Sequence, residues 1–415
     1  MIDIFLNKLE NDGWAELFFL VAGSLLLYCF QRIRGGIRRS RARKQLRANL
    51  QAYRERKAVI NVVDIANGDP DFAKSNIFLR EVSNLGRPKG LFIDMPDEPY
   101  SQLLAKERAA GYSERQLTRF HPNESFSGAS GSDCESVFSE LAHSTGIPDL
   151  AQRIGTHRTL VARQLLDRSH GLLFNGRKYG VFDFRHMRFG PDEEPGIEMD
   201  LFQTDYFTHR VFRSIYHELG REGHEICRLQ AWHDDFFKYR PFFTSFGINA
   251  LLICEGPESK EIVLSKRSAR VHGGKSRYHV TMNEGLSQTD KDAFGRVDLE
   301  LCFKRGLLEE LGIDNNRYNM ALRTAFYDFF LDKANLEIGL SAVFETDVNF
   351  TTVIESLPAR DKSYESDGFV PIPLRAKPIC DFISRNEFVP HGLYVLEHVL
   401  MRNGVLINKI GQTGR

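Results

Sequence analysis

The reading of the C-terminal half turns on Val297–Ile313, VDLELCFKRGLLEELGI. Val297–Leu311 is predicted to be a helix, stopped by Gly312 at the position after the last helical residue, where left-handed backbone favours glycine. Positions three and four apart share a helix face, so a charge at 305 lies beside one at 309. Arg305 and Glu309 therefore form an i, i+4 pair, and Glu310 follows directly. Hard divalent cations such as Mg2+ bind several carboxylate oxygens carried on one rigid element. Taken alone, a Glu–Glu pair is in most cases an exposed helix face.

The surrounding elements extend this reading. Ser245–Cys254 (SFGINALLIC) is a buried-strand run, and Glu261–Lys266 (EIVLSK) is its expected hairpin partner. Tyr278–Met282 is a further strand, Ala321–Leu331 and Leu336–Glu345 read as a strand pair, and Phe369–Ile372 is short. His391–Met401 closes the chain as a helix. Strands, helix, strands, helix in that order predict a mixed sheet covered on both sides, an α/β/α sandwich over residues 241–415.

Arg305–Ile313 resembles the core of the Nudix box, R-E-U-x-E-E-x-G-U with U aliphatic, at every position but the second. Glu284-Gly285 precedes the helix as a glycine opens the family's box, and Lys362–Leu374 is similar to a late Nudix segment in which a glutamate precedes a short strand. The resemblance implies a nucleotide-handling site. Arg305, Glu309 and Glu310 would be its catalytic residues, and Glu309, Glu310 and Glu365 its ligands for Mg2+. Glu284 and Gly285 would contact the nucleotide ligand.

The sequence departs from the pattern at two points. The family's three box glutamates fall at 306, 309 and 310, and the first is replaced by Gly306; the upstream glutamate falls on Val297. The interval from Gly285 to Arg305 is also longer than the family's, which places an insertion at about Ser287–Gly295. Asp298, Glu300 and Glu365 are candidate substitutes. His272-Gly273-Gly274-Lys275 with Arg277 and His279 reads either as a glycine turn offering cationic donors to phosphate or as an ordinary hairpin turn; on the first reading Gly273, Gly274, Lys275 and Arg277 are ligand-binding. Conventional Nudix hydrolysis is not expected from a box with this gap.

The N-terminal residues 1–57 have a different character. Leu17–Gln31 (LFFLVAGSLLLYCFQ) carries no charge, and at about 1.5 Å per residue it covers roughly 22 Å, short of a ~30 Å hydrocarbon core. A buried core helix or a signal-peptide apolar region is equally short. Acidic Asp3, Glu10 and Asp12 precede the run, while Arg32, Arg34, Arg38, Arg39 and further basic residues follow it, with no small-residue cleavage site. The positive-inside asymmetry predicts a single transmembrane helix, Leu17 to Phe30, with its N-terminus outside. The basic stretch Arg32–Lys57 then reads as a neck on anionic headgroups; with Tyr53 as its one aromatic residue it does not read as a nucleic-acid surface.

Across 415 residues, 55 Lys+Arg balance 55 Asp+Glu, which argues against a protein coated for a nucleic-acid polymer. Hydrophobic residues at 42% and charged residues at 27% exclude wholesale disorder and a multi-span membrane protein. Six scattered cysteines show no metal-binding spacing and read as small buried hydrophobes in a reducing compartment. Residues 58–240 are expected to form an α+β middle domain. Ala58–Ile65, Gly90–Ile93 and Tyr179–Arg185 read as strands, Asn123–Glu135 as a loop, and Ile154–Leu166 and Gln203–Leu219 as helices. His217-Glu218 opens like a zinc-protease motif, but the second histidine's place is Arg221.

An anchor, a basic neck, a middle region and a degraded Nudix box together resemble the membrane-anchored Nudix effectors of bacterial cyclic-oligonucleotide anti-phage systems (CBASS), the CD-NTase-associated proteins. The resemblance implies a cyclic oligonucleotide ligand, homo-oligomerisation on activation, and disruption of the bacterial inner membrane. The alternative is an anchored Nudix hydrolase that cleaves a nucleoside diphosphate linkage with Mg2+.

Overall fold

The computed structural model describes residues 62–64, 76–82, 89–121, 126, 134–169, 175–191, 193–228, 238–269, 274–314, 322–403 and 405. All of them fall within one unit, Val59–Lys409. Eleven named strands make two sheets among these residues. The strands are β1 (Val62–Asp64), β2 (Ile77–Glu81), β3 (Arg177–Phe189), β4 (Glu194–Asp205), β5 (Phe246–Glu255), β6 (Glu261–Arg267), β7 (Tyr278–Val280), β8 (Met282–Gly285), β9 (Leu322–Asp332), β10 (Glu337–Asn349) and β11 (Ser366–Pro373). The helices are α1 (Asp97–Ala109), α2 (Cys134–Thr145), α3 (Leu150–Ser169), α4 (Tyr206–Arg221), α5 (Leu299–Gly306), α6 (Ala376–Arg385) and α7 (Pro390–Arg402).

The larger sheet is mixed, in the order β1-β9-β10-β5-β6-β11. Its centre is β5, whose largely apolar run, interrupted by Asn249, is buried along almost its whole length, as a strand covered on both faces requires. β10 runs parallel to β5 from Ile338↔Phe246 to Glu345↔Ile253, and antiparallel to β9. The other edge of β5 is shared: β6 pairs with Leu252–Cys254, and β8 with Gly247–Ala250. The single strand expected over Tyr278–Met282 is therefore two. Thr281 marks the crossing, where its hydroxyl accepts from the Leu252 N–H (2.8 Å) and donates to the Val263 carbonyl (2.5 Å). This crossing sets the end of β8 against α5.

The smaller sheet, β2-β4-β3, lies in the preceding part of the chain. Helix α4 starts at Tyr206 rather than at Gln203, because β4 continues to Asp205, whose carboxylate caps the helix through the Thr208 N–H (2.8 Å). Gly90 makes an isolated bridge to Gln203, so Gly90–Ile93 is not a full strand. Glu218 is held by Arg153 (2.7 Å) and His157 (2.9 Å), which is a structural use of the His217-Glu218 pair. Aromatic side chains of both sheets, Phe202, Phe246 and Phe329, join Phe212 of α4 and Phe243 from the segment before β5 in one continuous core. Cys254 and Cys302 are buried, Cys227 and Cys380 half-buried, and all four are free thiols.

The expected N-terminal transmembrane helix and the inner-membrane location derived from it are corrected. Among the described residues no helix is long and apolar enough to cross a membrane, and the architecture found is a mixed α/β one. Its longest helix, α3, alternates apolar with charged residues and packs on α4. Leu17 to Phe30 and the basic neck Arg32–Lys57 lie outside the described residues.

Candidate functional site

Helix α5 begins at Asp298, whose carboxylate caps the Glu300 N–H (2.7 Å). At Gly306 the regular helix gives way to a wider π turn, Leu307–Leu311, so the continuous helix expected to Leu311 has a change of pitch inside the motif. Gly312 closes it with φ 75°, and its N–H bonds the Leu308 carbonyl (3.1 Å). The turn carries Glu309 and Glu310 at the level where β8 ends. Glu310 is buried and accepts from the Asn283 N–H (3.1 Å), which fixes its carboxylate over β8.

Arg305 organises the site. Its guanidinium forks onto Asp290, with Nε to Oδ1 at 2.9 Å and Nη2 to Oδ2 at 2.7 Å. Nη1 donates to Glu284 (2.6 Å), and Nη2 also donates to the Gly285 carbonyl (2.8 Å). The i, i+4 partner Glu309 is farther away, at 3.6 Å, and its carboxylate is met by Arg360 at 2.6 Å. Asp361 donates its N–H to the Glu309 carbonyl (2.9 Å), which ties the single helical turn Lys362–Glu365 to the π turn. Glu365 stands at the end of that turn, and its carbonyl accepts from the Ser268 N–H (2.9 Å).

Gly306 has a steric explanation. A Cβ built there would lie 2.7 Å from Met282 Sδ and 2.8 Å from Glu284 Cβ. Real Cβ atoms do not approach so closely. The volume beside the helix is filled by the Glu284 side chain, so a carboxylate missing from the helix is matched by one that arrives from the strand.

These carboxylates crowd one another. Burial pushes Glu284 up to about 7 from its ordinary 4.5; Arg305 opposes the shift, and Glu365 and Glu309 add to it. Burial raises Glu310 well above the carboxylate range, with Glu365 and Glu284 adding to the effect. Glu365 is raised by burial as well, with Arg267 opposing and Asp361 and Glu309 reinforcing. All three groups hold protons more tightly folded than unfolded. Their contribution to stability is complete below about pH 4.5 and is lost as pH rises through the raised folded values, near 7 for Glu284. In chelator-treated protein the thermal midpoint is therefore expected to fall between pH 5 and about 7.5. Added Mn2+ should offset the fall; a midpoint flat across this window would contradict the crowding.

Of the residues expected to form a site, Arg305, Glu309, Glu310, Glu284, Gly285 and Glu365 are brought together. Gly274, Lys275 and Arg277 belong to the β6–β7 turn. Gly274 has φ 63°, the Arg277 N–H bonds the Gly274 carbonyl (3.1 Å), and Arg277 reaches Glu387 (3.3 Å). Gly273 lies outside the described residues. Sequence reasoning missed Asp290 and Arg360. Asp290 sits in the box insertion and accepts from the Ser287 N–H (2.8 Å), so a Ser-x-x-Asp turn was the available signal. Arg360 offers no local pattern. Beside Glu365 a recess of about 340 Å³ is lined by residues that include Leu357, Pro358, Lys362, Ser366 and Phe369.

A mixed α/β fold with a carboxylate–arginine cluster is the class the structure defines. No family model matches the chain, and no curated protein matches it. Solved structures do match, at low identity. A Deinococcus radiodurans protein is 12% identical with a TM-score of 0.27 over 37% of this chain and 83% of its own. The NUDIX domain of Shewanella oneidensis NrtR, complexed with ADP ribose, is 12% identical with a TM-score of 0.25 over 38% and 87%. A bifunctional NMN adenylyltransferase/ADP ribose pyrophosphatase from Francisella tularensis, complexed with AMP and a manganese ion, is 16% identical with a TM-score of 0.25 over 38% and 41%. The structural neighbours thus include Nudix domain proteins. They do not extend to the anti-phage effector role or to assembly.

Proposed function

We propose that the C-terminal half is a Nudix-type site that binds the diphosphate of a nucleotide together with a divalent cation and hydrolyses the linkage. The observation that carries this reading is the Arg305 fork, which meets Glu284 and Glu309, with Glu310 and Glu365 interacting electrostatically with those two from the π turn and the helical turn beyond it. An all-carboxylate donor set suits a hard cation. Glu309, Glu310 and Glu365 would hold it, and Glu284 stands in for the glutamate that position 306 lacks. The cation supplies polarisation of phosphate oxygens and a more acidic water.

The chain's own groups do the rest. Arg305 holds Glu284 and, through Asp290, the loop beside it. Glu284, raised by burial and held by Arg305, would take the proton of a water attacking phosphorus. The water oxygen bonds to phosphorus, the bridging P–O bond breaks, and the leaving phosphate carries away the electron pair. The recess beside Glu365, with Phe369 at its wall, has the apolar surface for a base.

The test is calorimetric titration of the full-length chain with ADP-ribose, with and without Mn2+, followed by product analysis. Binding is expected only with Mn2+, and Glu310→Gln should lower the Mn2+ affinity on the order of tenfold or more by removing a charged ligand. Failure of ADP-ribose, ADP and cyclic dinucleotides alike to bind would defeat the proposal. A second reading, ligand binding without turnover, is favoured by one observation: Glu309 is already engaged by Arg360 at 2.6 Å. A nucleotide recovered intact from a tight complex would select that reading.

A further inference from the structure

A second cluster of ligating groups lies away from the carboxylate site. Asp332 and Glu337 flank the β9–β10 turn and face each other in its register. His391 opens α7, and its Nδ1 lies 2.8 Å from Asp332 Oδ2. One ligand atom from each of the three lies within 4.8 Å of the other two. Metal–ligand bonds of about 2 Å place ligand atoms roughly 3–4 Å apart, so small side-chain adjustments would close the set. Asp332 is fully buried, His391 is 6% exposed, and Glu337 borders solvent.

An independent observation concerns His279 on β7. It is 1% exposed, and its Nε2 has no hydrogen-bond partner. Its Nδ1 faces the Val280 carbonyl at 3.3 Å, which selects the tautomer with the proton on Nδ1 and leaves a lone pair on Nε2. The edge that carries this nitrogen is turned towards the first turn of α7: a Cβ added at Gly392 would lie 2.9 Å from His279 Cδ2, and the His279 and His391 rings are 4.8 Å apart. A buried imidazole lone pair with no donor, beside a histidine and two carboxylates, is an acceptor without a cation.

The outer contacts are those of a supported centre. Asp332 accepts from the Ala334 N–H (2.8 Å) and from Asn335 Nδ2 (3.2 Å). Glu337 is approached by His209 Nε2 (3.3 Å) and Arg213 (3.5 Å), and His209 Nδ1 is fixed by the Thr244 hydroxyl (3.0 Å). Such second contacts orient ligating groups and set their basicity.

We propose that Asp332, Glu337 and His391 form a second, structural metal site for a zinc-class divalent cation, with the unpartnered His279 beside them as the side chain that would complete it. Imidazole mixed with carboxylates suits Zn2+ better than the all-oxygen preference of Mg2+. The ion would join the β9–β10 turn, β7 and α7, and through His209 and Arg213 it would brace α4. The site is independent of the diphosphate reading, because none of its ligands belongs to the Arg305 cluster.

The experiment uses the full-length chain carrying Glu310→Gln, so that the first site is weakened. The protein is stripped by chelator and titrated with Co2+ as a spectroscopic probe, and Zn2+ is then added in competition. One Co2+ per chain is expected, with the intense visible absorption of a tetrahedral centre, displaced by Zn2+. His391→Gln should abolish it. His209→Gln, in the outer contacts, should weaken it about tenfold or more. Should His391→Gln fail to fold, Glu337→Gln at the solvent border decides the matter, because it too should remove the band. Absence of the band, or its survival in the folded Glu337→Gln variant, would overturn the proposal; the cluster would then be a buried ion-pair network.

Discussion

Replacing Arg305 with alanine is expected to destabilise the protein by about 3–5 kcal/mol, the largest single effect at the candidate site. The cost does not come from lost attraction alone. Asp290 is almost fully buried and receives two parallel bonds from the guanidinium, and Glu284 and the Gly285 carbonyl receive the remainder. Alanine leaves two buried carboxylates without their cation, and that desolvation is what cannot be recovered. Arg305→Lys should fall between wild type and Arg305→Ala, because a single ammonium cannot reproduce the fork on Asp290 while reaching Glu284. Urea denaturation at pH 7.5 reads both variants. The order should compress at pH 5, where Glu284 is protonated in the folded state. Equal losses for alanine and lysine would show that the fork contributes only charge.

The second prediction reverses an intuition. Restoring glutamate at the second box position, Gly306→Glu, should damage the protein rather than repair the motif. The new Cβ would meet Met282 Sδ at 2.7 Å and Glu284 Cβ at 2.8 Å, and overpacking of this kind costs about 1–3 kcal/mol. It would also bring a further carboxylate to a place where Glu284, Glu310 and Glu365 already resist ionisation. The compensating pair is Gly306→Glu with Glu284→Gly, which moves the carboxylate from strand to helix. The double variant should be more stable, and bind Mn2+ more tightly, than the two single variants predict by addition, with a coupling of roughly 0.5–3 kcal/mol. Strict additivity would mean that Glu284 does not occupy the missing side chain's place.

The legible part of this molecule was carried by local pattern. The largely apolar run of β5, the β9–β10 strand pair and the stop at Gly312 are properties of neighbouring residues, and all three stand in the structure. The nearness of Glu309 to Arg305, at 3.6 Å, was legible because fixed spacing encodes a helix face, whereas Glu365 came from a second, separate segment of the resemblance. What spacing cannot encode is a partner drawn from another element. Glu284 displaces Glu309 as the close partner of Arg305, Asp290 enters from an insertion, and Arg360 arrives from a loop fifty-one positions beyond Glu309. The change of pitch at Gly306 and the crossing at Thr281 are likewise settled by what lies across the sheet. The N-terminal apolar run, Leu17 to Phe30, lies outside the described residues. Its charge asymmetry was a strong local signal, yet no membrane-spanning helix is found among the described residues.

The insertion that lengthens the box acquires a different meaning in the folded chain. Gln288 donates to the carbonyls of both Lys178 (2.9 Å) and Thr204 (2.8 Å), Lys291 pairs with Glu81 (2.5 Å), and Ser287 bridges to Lys178. The same loop holds Asp290 in the Arg305 fork. Residues that look like surplus length beside the motif are thus a mortise between α5 and β2, β3 and β4. A deletion that brought the box back to family spacing would unfasten the smaller sheet, and its first casualty would be a part of the protein that contains no motif at all.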